Sequence, residues 1–354
     1  MHADLPGTPL DIVGDVHGEH DALCGLLRAL GYDDAGQHPH GRSLVFVGDL
    51  CDCGPDSPGV VARVRRLVES GRAVALLGNH ELNLLRGQRR HGNDWFWSDN
   101  PRRDAKFAPY VALEGDVQRV EILAFFERLP LVASRPDLRV VHAAWHAPSL
   151  QRLRALWSGA PVGELFDWLG DDADAALQAQ GLHSAARAEK GAWRHRFGEP
   201  AAPIPMLQSV GRRDEGRQML NPLRVLTSGV ERCAQAPFFA SGQWRFTERM
   251  RWWDSYTDDT PVVVGHYWRH YQPLEQERPG KGVQDLFEGI APNAWLGARG
   301  NVFCVDYSVG GRWQERSNVG RRGQPTRLAA LRWPEREIVL DSSETLPTTN
   351  FGKC

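Results

Sequence analysis

The chain has 354 residues, of which 42 are lysine or arginine and 44 are aspartate or glutamate, giving a formal net charge of −2. A nearly neutral chain creates no field that would attract nucleic acid or an anionic membrane, so any affinity for phosphate must be local. No apolar run approaches the length of a membrane span, and acidic residues interrupt each stretch that could form a signal peptide, which predicts a cytoplasmic protein.

The first quarter of the chain alternates between strand and helix patterns. Aliphatic and β-branched runs indicate buried strands, and the amphipathic stretches between them indicate helices. In chain order these are a strand at 10–14, a helix at 19–30, a strand at 43–48, a helix at 57–69, a strand at 72–78 and a helix that begins near Glu81. This βαβαβα order predicts neighbouring parallel strands.

Four apolar runs each lead directly into a residue that can bind a metal. The segments are Gly14-Asp15-Val16-His17-Gly18, Gly48-Asp49, Gly78-Asn79-His80-Glu81 and Val141-His142. The ends of strands are where α/β proteins place their chemistry, and glycine allows the backbone to turn sharply there. We therefore expect ligands from separate strands to meet.

The middle of the chain is less regular. Residues 87–109 are rich in Arg, Asn, Asp and Trp and are predicted to form a surface loop beside a cleft. A helix is predicted at 117–129, ended by Pro130, and a strand then returns the chain to the sheet at His142.

The last third of the chain carries further strand patterns. Apolar runs lead into His266 and into Asp306, and 328–333 with 337–340 is predicted to be a closing hairpin. These strands predict a second sheet.

The domain prediction assigns 1–148 and 241–341 to one catalytic domain. Residues 149–240 are predicted to be an insertion or cap, helical in part, because their Ala-rich and Pro- and Gly-rich stretches interrupt the strand patterns. Residues 342–354 are predicted to be a frayed tail.

The candidate ligands match the needs of a two-metal site. Two divalent ions about 3.5–4 Å apart need several oxygen and imidazole ligands and one group that bridges them. Asp15 and His17 can face one ion, and the Asp49 carboxylate has two oxygens with which to bridge. The second ion would be completed by Asn79, His142 and His266. Such donors without a thiolate favour manganese, with iron and zinc as alternatives.

The blocks Gly14 to Gly18, Gly48 to Gly54 and Gly78 to Glu81, about thirty residues apart, resemble the signature blocks of the PPP-type (calcineurin-like) metallophosphoesterases. The resemblance implies an α/β fold of αββα type, in which two mixed β-sheets pack as a sandwich flanked by helices. It also implies two metals that share Asp49. The residues it assigns to them are Asp15, His17 and Asp49 for one metal and Asp49, Asn79, His142 and His266 for the other.

The same resemblance implies that His80, oriented by Asp52, protonates the leaving oxygen. The physical case agrees, because an imidazole beside a carboxylate can supply a proton near neutral pH. A hydroxide shared by two cations is nucleophilic at that pH, since each ion lowers the pKa of bound water.

Later segments resemble the bacterial symmetrical bis(5'-nucleosyl)-tetraphosphatases. Phe246-Thr247 followed by Arg249-Met250-Arg251 resembles the basic segment of that branch, and Leu331-Arg332-Trp333 resembles its C-terminal strands. Arg249 and Arg251 are therefore predicted to bind phosphate oxygens, since guanidinium offers two parallel donors. Cys53 stands where the superfamily usually has a phosphate-contacting arginine.

The predicted protein is a phosphoesterase with two divalent metals, which hydrolyses a phosphoanhydride or phosphoester by in-line attack of a metal-bridging hydroxide. A nucleotide phosphoanhydride such as a dinucleoside polyphosphate ranks level with, or slightly above, a phosphomonoester as the expected substrate. The alternatives are a serine/threonine-type phosphoprotein phosphatase, a general phosphomonoesterase, a nucleic-acid phosphoesterase and a catalytically silent binding scaffold. The predicted partner is a phosphorylated nucleotide or protein, with no membrane association and no nucleic-acid module, and the oligomeric state is open.

The tryptophans predicted either to stack on a nucleobase or to pack in the core include Trp95, Trp97, Trp145, Trp252 and Trp253.

Overall fold

The structure of the protein is a computed structural model that describes residues 1–201, 204–240, 242–272, 285–316 and 325–353. Apart from the gaps between those ranges, the chain forms two compact units. The first unit comprises Met1–Ala143, Trp253–Leu274 and Ile290–Cys354, and the second comprises Ala144–Trp252 and Glu275–Gly289.

The strands form where β-branched and aliphatic residues cluster. In chain order they are β1 His2–Asp4, β2 Leu10–Val13, β3 Ser43–Phe46, β4 Ala73–Ala75, β5 Val132–Arg135, β6 Leu138–Val141, β7 Glu231–Ala240, β8 Gln243–Arg249, β9 Val262–Val264, β10 Val302–Cys304, β11 Ala329–Trp333, β12 Glu337–Leu340 and β13 Thr345–Pro347.

The helices carry local start signals. The Asp56 side chain, for example, accepts a hydrogen bond from the Gly59 N–H at 2.8 Å and so caps the second helix, as the sequence predicts. In chain order the α-helices are α1 His20–Leu30, α2 Ser57–Glu69, α3 Asn79–Leu85, α4 Asp94–Trp97, α5 Asp116–Glu127, α6 Ala147–Leu156, α7 Val162–Ala179, α8 Leu182–Trp193, α9 Gln208–Met219, α10 Pro222–Ser228 and α11 Trp313–Arg316.

Two mixed sheets build the first unit. One has the strand order β13-β12-β11-β2-β3-β4, in which β2, β3 and β4 run parallel as predicted. The other has the order β1-β5-β6-β9-β10, with β6, β9 and β10 parallel. The predicted second sheet is therefore present, but the closing hairpin β11–β12 joins the first sheet beside β2.

A shared hydrophobic core lies between these two sheets. It includes Ile12 and Val45 from one sheet and Val140, Val263 and Phe303 from the other, all buried. Because each sheet presents an apolar face to its partner, the sheets pack face to face. The predicted αββα class is confirmed, and parallel strands in both sheets end in the segments that were predicted to carry ligands.

The second unit consists of helices α6 to α10 and the antiparallel hairpin β7–β8. A small separate core holds it together, with members that include Ile204, Leu207, Val210 and Phe246. It is more helical than the sequence suggested, because the Ala-rich stretch lies in α7 and α8 and two further helices follow. The domain boundaries predicted at 149–240 stay a prediction.

Two local expectations were wrong. The predicted loop 87–109 contains α4 and a 3₁₀ turn at Ala105–Phe107. The predicted frayed tail instead contributes β13, which pairs with β12, and Phe351 packs on Trp295 with ring centroids 4.7 Å apart. Within the described ranges, no helix is both long and apolar enough to cross a membrane.

Candidate metal centre

The segment after β2 places Asp15 and His17 side by side. Both are buried, and the Asp15 carboxylate accepts the backbone N–H of His266 at 3.0 Å to Oδ2 and 3.2 Å to Oδ1. Burial raises the pKa of Asp15, and the nearby carboxylates of Asp306 and Asp49 raise it further. A cation would relieve that repulsion.

Asp49 follows β3 on a turn that Glu81 holds in place. The buried Glu81 carboxylate accepts the backbone N–H groups of Asp49 at 2.9 Å and Leu50 at 2.8 Å. Burial acts to raise the pKa of Asp49, but the imidazoles of His142 and His80 outweigh it, so the pKa lies well below its usual range. Glu81 belongs to one of the signature blocks, yet no local pattern around it predicts this positioning role.

The ring of His142 faces oxygen atoms on both sides. Nδ1 lies 3.0 Å from the Val47 carbonyl oxygen, while Nε2 lies 3.3 Å from Asp49 Oδ2 and 3.3 Å from Asn79 Oδ1. Burial lowers the pKa of His142, but Asp49 outweighs it and the net shift is upward. With acceptors on both sides, the ring either carries two protons or donates to the carbonyl and holds a cation at Nε2.

The donor set fits divalent cations. Ligand atoms of Asp49, His142 and His266 lie within 4.8 Å of one another, and so do those of His17, Asp49 and His80. His17 Nδ1 lies 3.3 Å from the Cys51 carbonyl oxygen, and its buried Nε2 has no hydrogen-bond partner among the described residues. Burial, helped by the nearby His80, lowers the pKa of His17 to about 4, so the ring is neutral and can offer its lone pair.

His80 forms a second arrangement beside these ligands. Its Nδ1 lies 2.6 Å from Asp52 Oδ2, and its backbone N–H donates to Asp49 Oδ1 at 3.0 Å. Burial lowers the pKa of His80, but Asp49 and Asp52 together raise it to about 10. In the absence of metal the ring is therefore protonated at neutral pH.

Trp95 completes this arrangement. Its indole N–H donates to Asp52 Oδ1 at 2.7 Å, so both oxygens of that carboxylate are engaged. The side chain is only 2% exposed, which excludes the stacking on a nucleobase that the sequence left open for it. Sequence reasoning missed this contact, and the tryptophan-rich composition of 87–109 was the one available signal.

Arg249 and Arg251 belong to the second unit. Arg249 ends β8, where its register partner is Glu231 on β7, and Arg251 follows two residues later. The ligand candidates belong to the first unit. The predicted phosphate contacts of the two arginines stay a prediction.

Comparison with known proteins shows the family of the chain. The model of the calcineurin-like phosphoesterase family matches residues 8–191, more than half of the chain. The chain belongs to the calcineurin-like phosphoesterase family. The matched region includes β2, β3, β4 and β6, with the candidate ligands that follow each of them.

Curated relatives of this family member carry tetraphosphatase names. The asymmetrical bis(5'-nucleosyl)-tetraphosphatase PrpE of Anoxybacillus flavithermus is 34% identical over 142 residues, which cover 38% of this chain and 55% of the relative. The symmetrical bis(5'-nucleosyl)-tetraphosphatase of Ralstonia nicotianae is 46% identical over 81 residues, 23% of this chain and 26% of the relative. The chain thus spans about half the length of the first relative and less of the second.

Among solved structures, a cold-active protein-tyrosine phosphatase from a psychrophilic Shewanella species is 15% identical. The structural alignment covers 97% of this chain and 82% of the phosphatase chain, with a TM-score of 0.47. The chain therefore belongs to a phosphoesterase family, and its structure contains candidate metal-binding residues.

Proposed function

We propose that this phosphoesterase uses two divalent metals to hydrolyse a phosphoanhydride bond of a dinucleoside polyphosphate. The observation that carries the proposal is the hydrogen-bonded His80–Asp52 pair, which lies beside a cluster of candidate metal ligands. Such a hydrolysis requires activation of the nucleophile and protonation of the leaving group. The metal-ligand cluster suits the first task, and the His80–Asp52 pair suits the second. The tetraphosphatase names of the relatives favour the nucleotide substrate.

In this proposal the two metals share Asp49. Asp15 and His17 hold one ion, and Asn79, His142 and His266 hold the other, with manganese as the preferred metal. The two groups of converging ligand atoms already have Asp49 in common, which supports a bridging role. Bound cations would lower the pKa of water and screen the charge of the phosphate.

His80 serves as the acid in this proposal. Asp52 accepts the hydrogen at Nδ1 and fixes the ring, which leaves the proton at Nε2 for the leaving oxygen. Trp95 and the Ser57 hydroxyl hold Asp52 in turn, the latter 2.9 Å from the Asp52 backbone N–H. A rigid carboxylate keeps the imidazole in one tautomer and one orientation.

The position of Trp268 favours a substrate that contains a nucleoside. Its ring centroid lies 6.0 Å from that of His17, and the side chain is 39% exposed. The backbone N–H of Trp268 donates to Asp306 Oδ2 at 2.7 Å, which fixes it in a left-handed conformation with φ of 55°. An exposed indole beside the metal ligands can stack on a base, an interaction of about 1–3 kcal/mol.

The test is a manganese-supplemented hydrolysis assay that compares diadenosine tetraphosphate, a phosphoserine peptide and p-nitrophenyl phosphate, with Asp49→Asn as the blank. We expect fast cleavage of the dinucleotide, and the products report the position of attack: two ADP for symmetrical and ATP with AMP for asymmetrical cleavage. Trp268→Ala should raise KM for the dinucleotide and leave that for p-nitrophenyl phosphate unchanged. Trp168→Ala, which removes another exposed tryptophan, is the matched control. Activity on the monoesters alone would contradict the nucleotide assignment.

A further inference from the structure

Cys53, the residue next to the proposed acid pair, carries no positive charge of its own. The residue follows Asp52, and its backbone N–H donates to the Gly92 carbonyl oxygen at 3.1 Å. A Cβ atom on Gly92 would lie 2.7 Å from the Cys53 sulfur, so the two segments are in close contact. Burial raises the pKa of the Cys53 thiol well above its usual value, and Asp52 raises it further, so the side chain is neutral.

The segment that covers Cys53 also carries a lysine. The buried Asp104 carboxylate accepts the N–H groups of Gly92 at 2.9 Å and Asp94 at 2.7 Å, which fixes the segment over Cys53. Lys106 lies two residues further on, in the 3₁₀ turn Ala105–Phe107. Its charge acts to lower the pKa of the Cys53 thiol, against the effect of burial.

Two aromatic rings hold the Lys106 ammonium. It lies 4.7 Å from the Phe107 ring centroid and 4.9 Å from that of Trp313. Trp313 begins α11, just after a turn whose Gly310 packs on the candidate ligand His17, where a Cβ atom would lie 2.5 Å from the imidazole Cδ2. Lys106 is thus bracketed by segments that contact Cys53 on one side and His17 on the other.

The ammonium is available for an anion. The neighbouring cation Arg103 is paired, because it lies 3.5 Å from an Asp94 carboxylate oxygen and 3.6 Å from an Asp104 carboxylate oxygen. Lys106, in contrast, pairs with no carboxylate within the described part of the chain. The lysine is exposed, and the rings attract its charge without neutralising it.

We propose that Lys106 binds phosphate oxygens of the substrate and supplies the positive charge that Cys53 does not provide. This inference rests on the proposed function, because it needs a phosphate at the metal cluster. It makes Lys106 a substrate-binding residue of the first unit.

The test measures the binding of inorganic phosphate to the manganese-loaded protein by calorimetry. Lys106→Met should raise the dissociation constant about tenfold or more, as expected for the loss of one charge-assisted contact. Lys106→Arg keeps a positive charge and should bind phosphate close to the wild-type level. Lys190→Met is the matched control, since Lys190 also lies over an aromatic ring, 5.0 Å from the Phe197 centroid. Metal content and thermal unfolding are measured on each variant.

Wild-type affinity for phosphate in Lys106→Met would overturn the inference. An equal loss of affinity in Lys106→Arg would also overturn it, and so would an equal loss in the control Lys190→Met. Phosphate binding is read without turnover, so it separates this inference from the proposed function. If the wild type bound phosphate through Lys106 but hydrolysed no dinucleotide, only the substrate assignment would fail.

Discussion

Replacing His80 separates its two chemically plausible roles. Its Nε2 lies 3.8 Å from Asp49 Oδ2, so the ring could be a metal ligand as well as an acid. If it is the acid, His80→Asn should lower kcat about 100- to 10,000-fold, or about 3–5 kcal/mol of transition-state stabilisation, and leave the metal content unchanged. We expect the asparagine variant to keep its metals because His80 is not among the six proposed ligands, and Asp49 and His17 stay in place.

The assay compares kcat on a phosphoserine peptide, whose alkoxide leaving group must be protonated, with kcat on p-nitrophenyl phosphate, whose leaving group needs little protonation. The loss should be much smaller on the second substrate. His40→Asn, at an exposed histidine, controls for the general effect of the substitution. Equal losses on both substrates, together with a lower metal content, would refute the acid assignment and make His80 a ligand.

Three further predictions follow from the contacts around this pair. Glu81→Gln should lower the free energy of unfolding by about 1–3 kcal/mol in urea titrations, because an amide N–H₂ would face the buried N–H donors of the Asp49 turn. Trp95→Phe should lower kcat about tenfold with KM unchanged, since it frees one oxygen of Asp52 while keeping the buried ring; an unchanged kcat would contradict the positioning role. The pKa of His80, about 10 without metal, should fall when zinc is added in an NMR titration, because a cation offsets the Asp49 charge; a constant pKa would mean that no cation binds beside Asp49.

The sequence was sufficient where function depends on local pattern. Short buried strands that lead into Asp15, Asp49, His142 and His266 could be predicted because apolar runs and the candidate ligands lie close together in the chain. The parallel order of β2, β3 and β4 then follows from short crossover helices.

Contacts between segments that are distant in the chain could not be predicted in the same way. Trp95 reaches Asp52 across 43 residues, and Glu81 reaches the Asp49 turn across 32, so neither leaves a periodic trace in the sequence. The ordered tail is a similar case, because Phe351 is isolated in a polar stretch and packs through tertiary contacts with Trp295 and Trp333. Helices of the second unit were obscured by their glycine and proline neighbours.

The most direct test of the two-metal hydrolase is to measure metal content and diadenosine tetraphosphate hydrolysis on the same samples, as manganese is titrated into metal-free protein. We predict that activity rises until two manganese ions are bound per chain and that Asp49→Asn loses both metal and activity. Full activity at one ion per chain, or an Asp49→Asn variant that keeps wild-type turnover, would contradict the account.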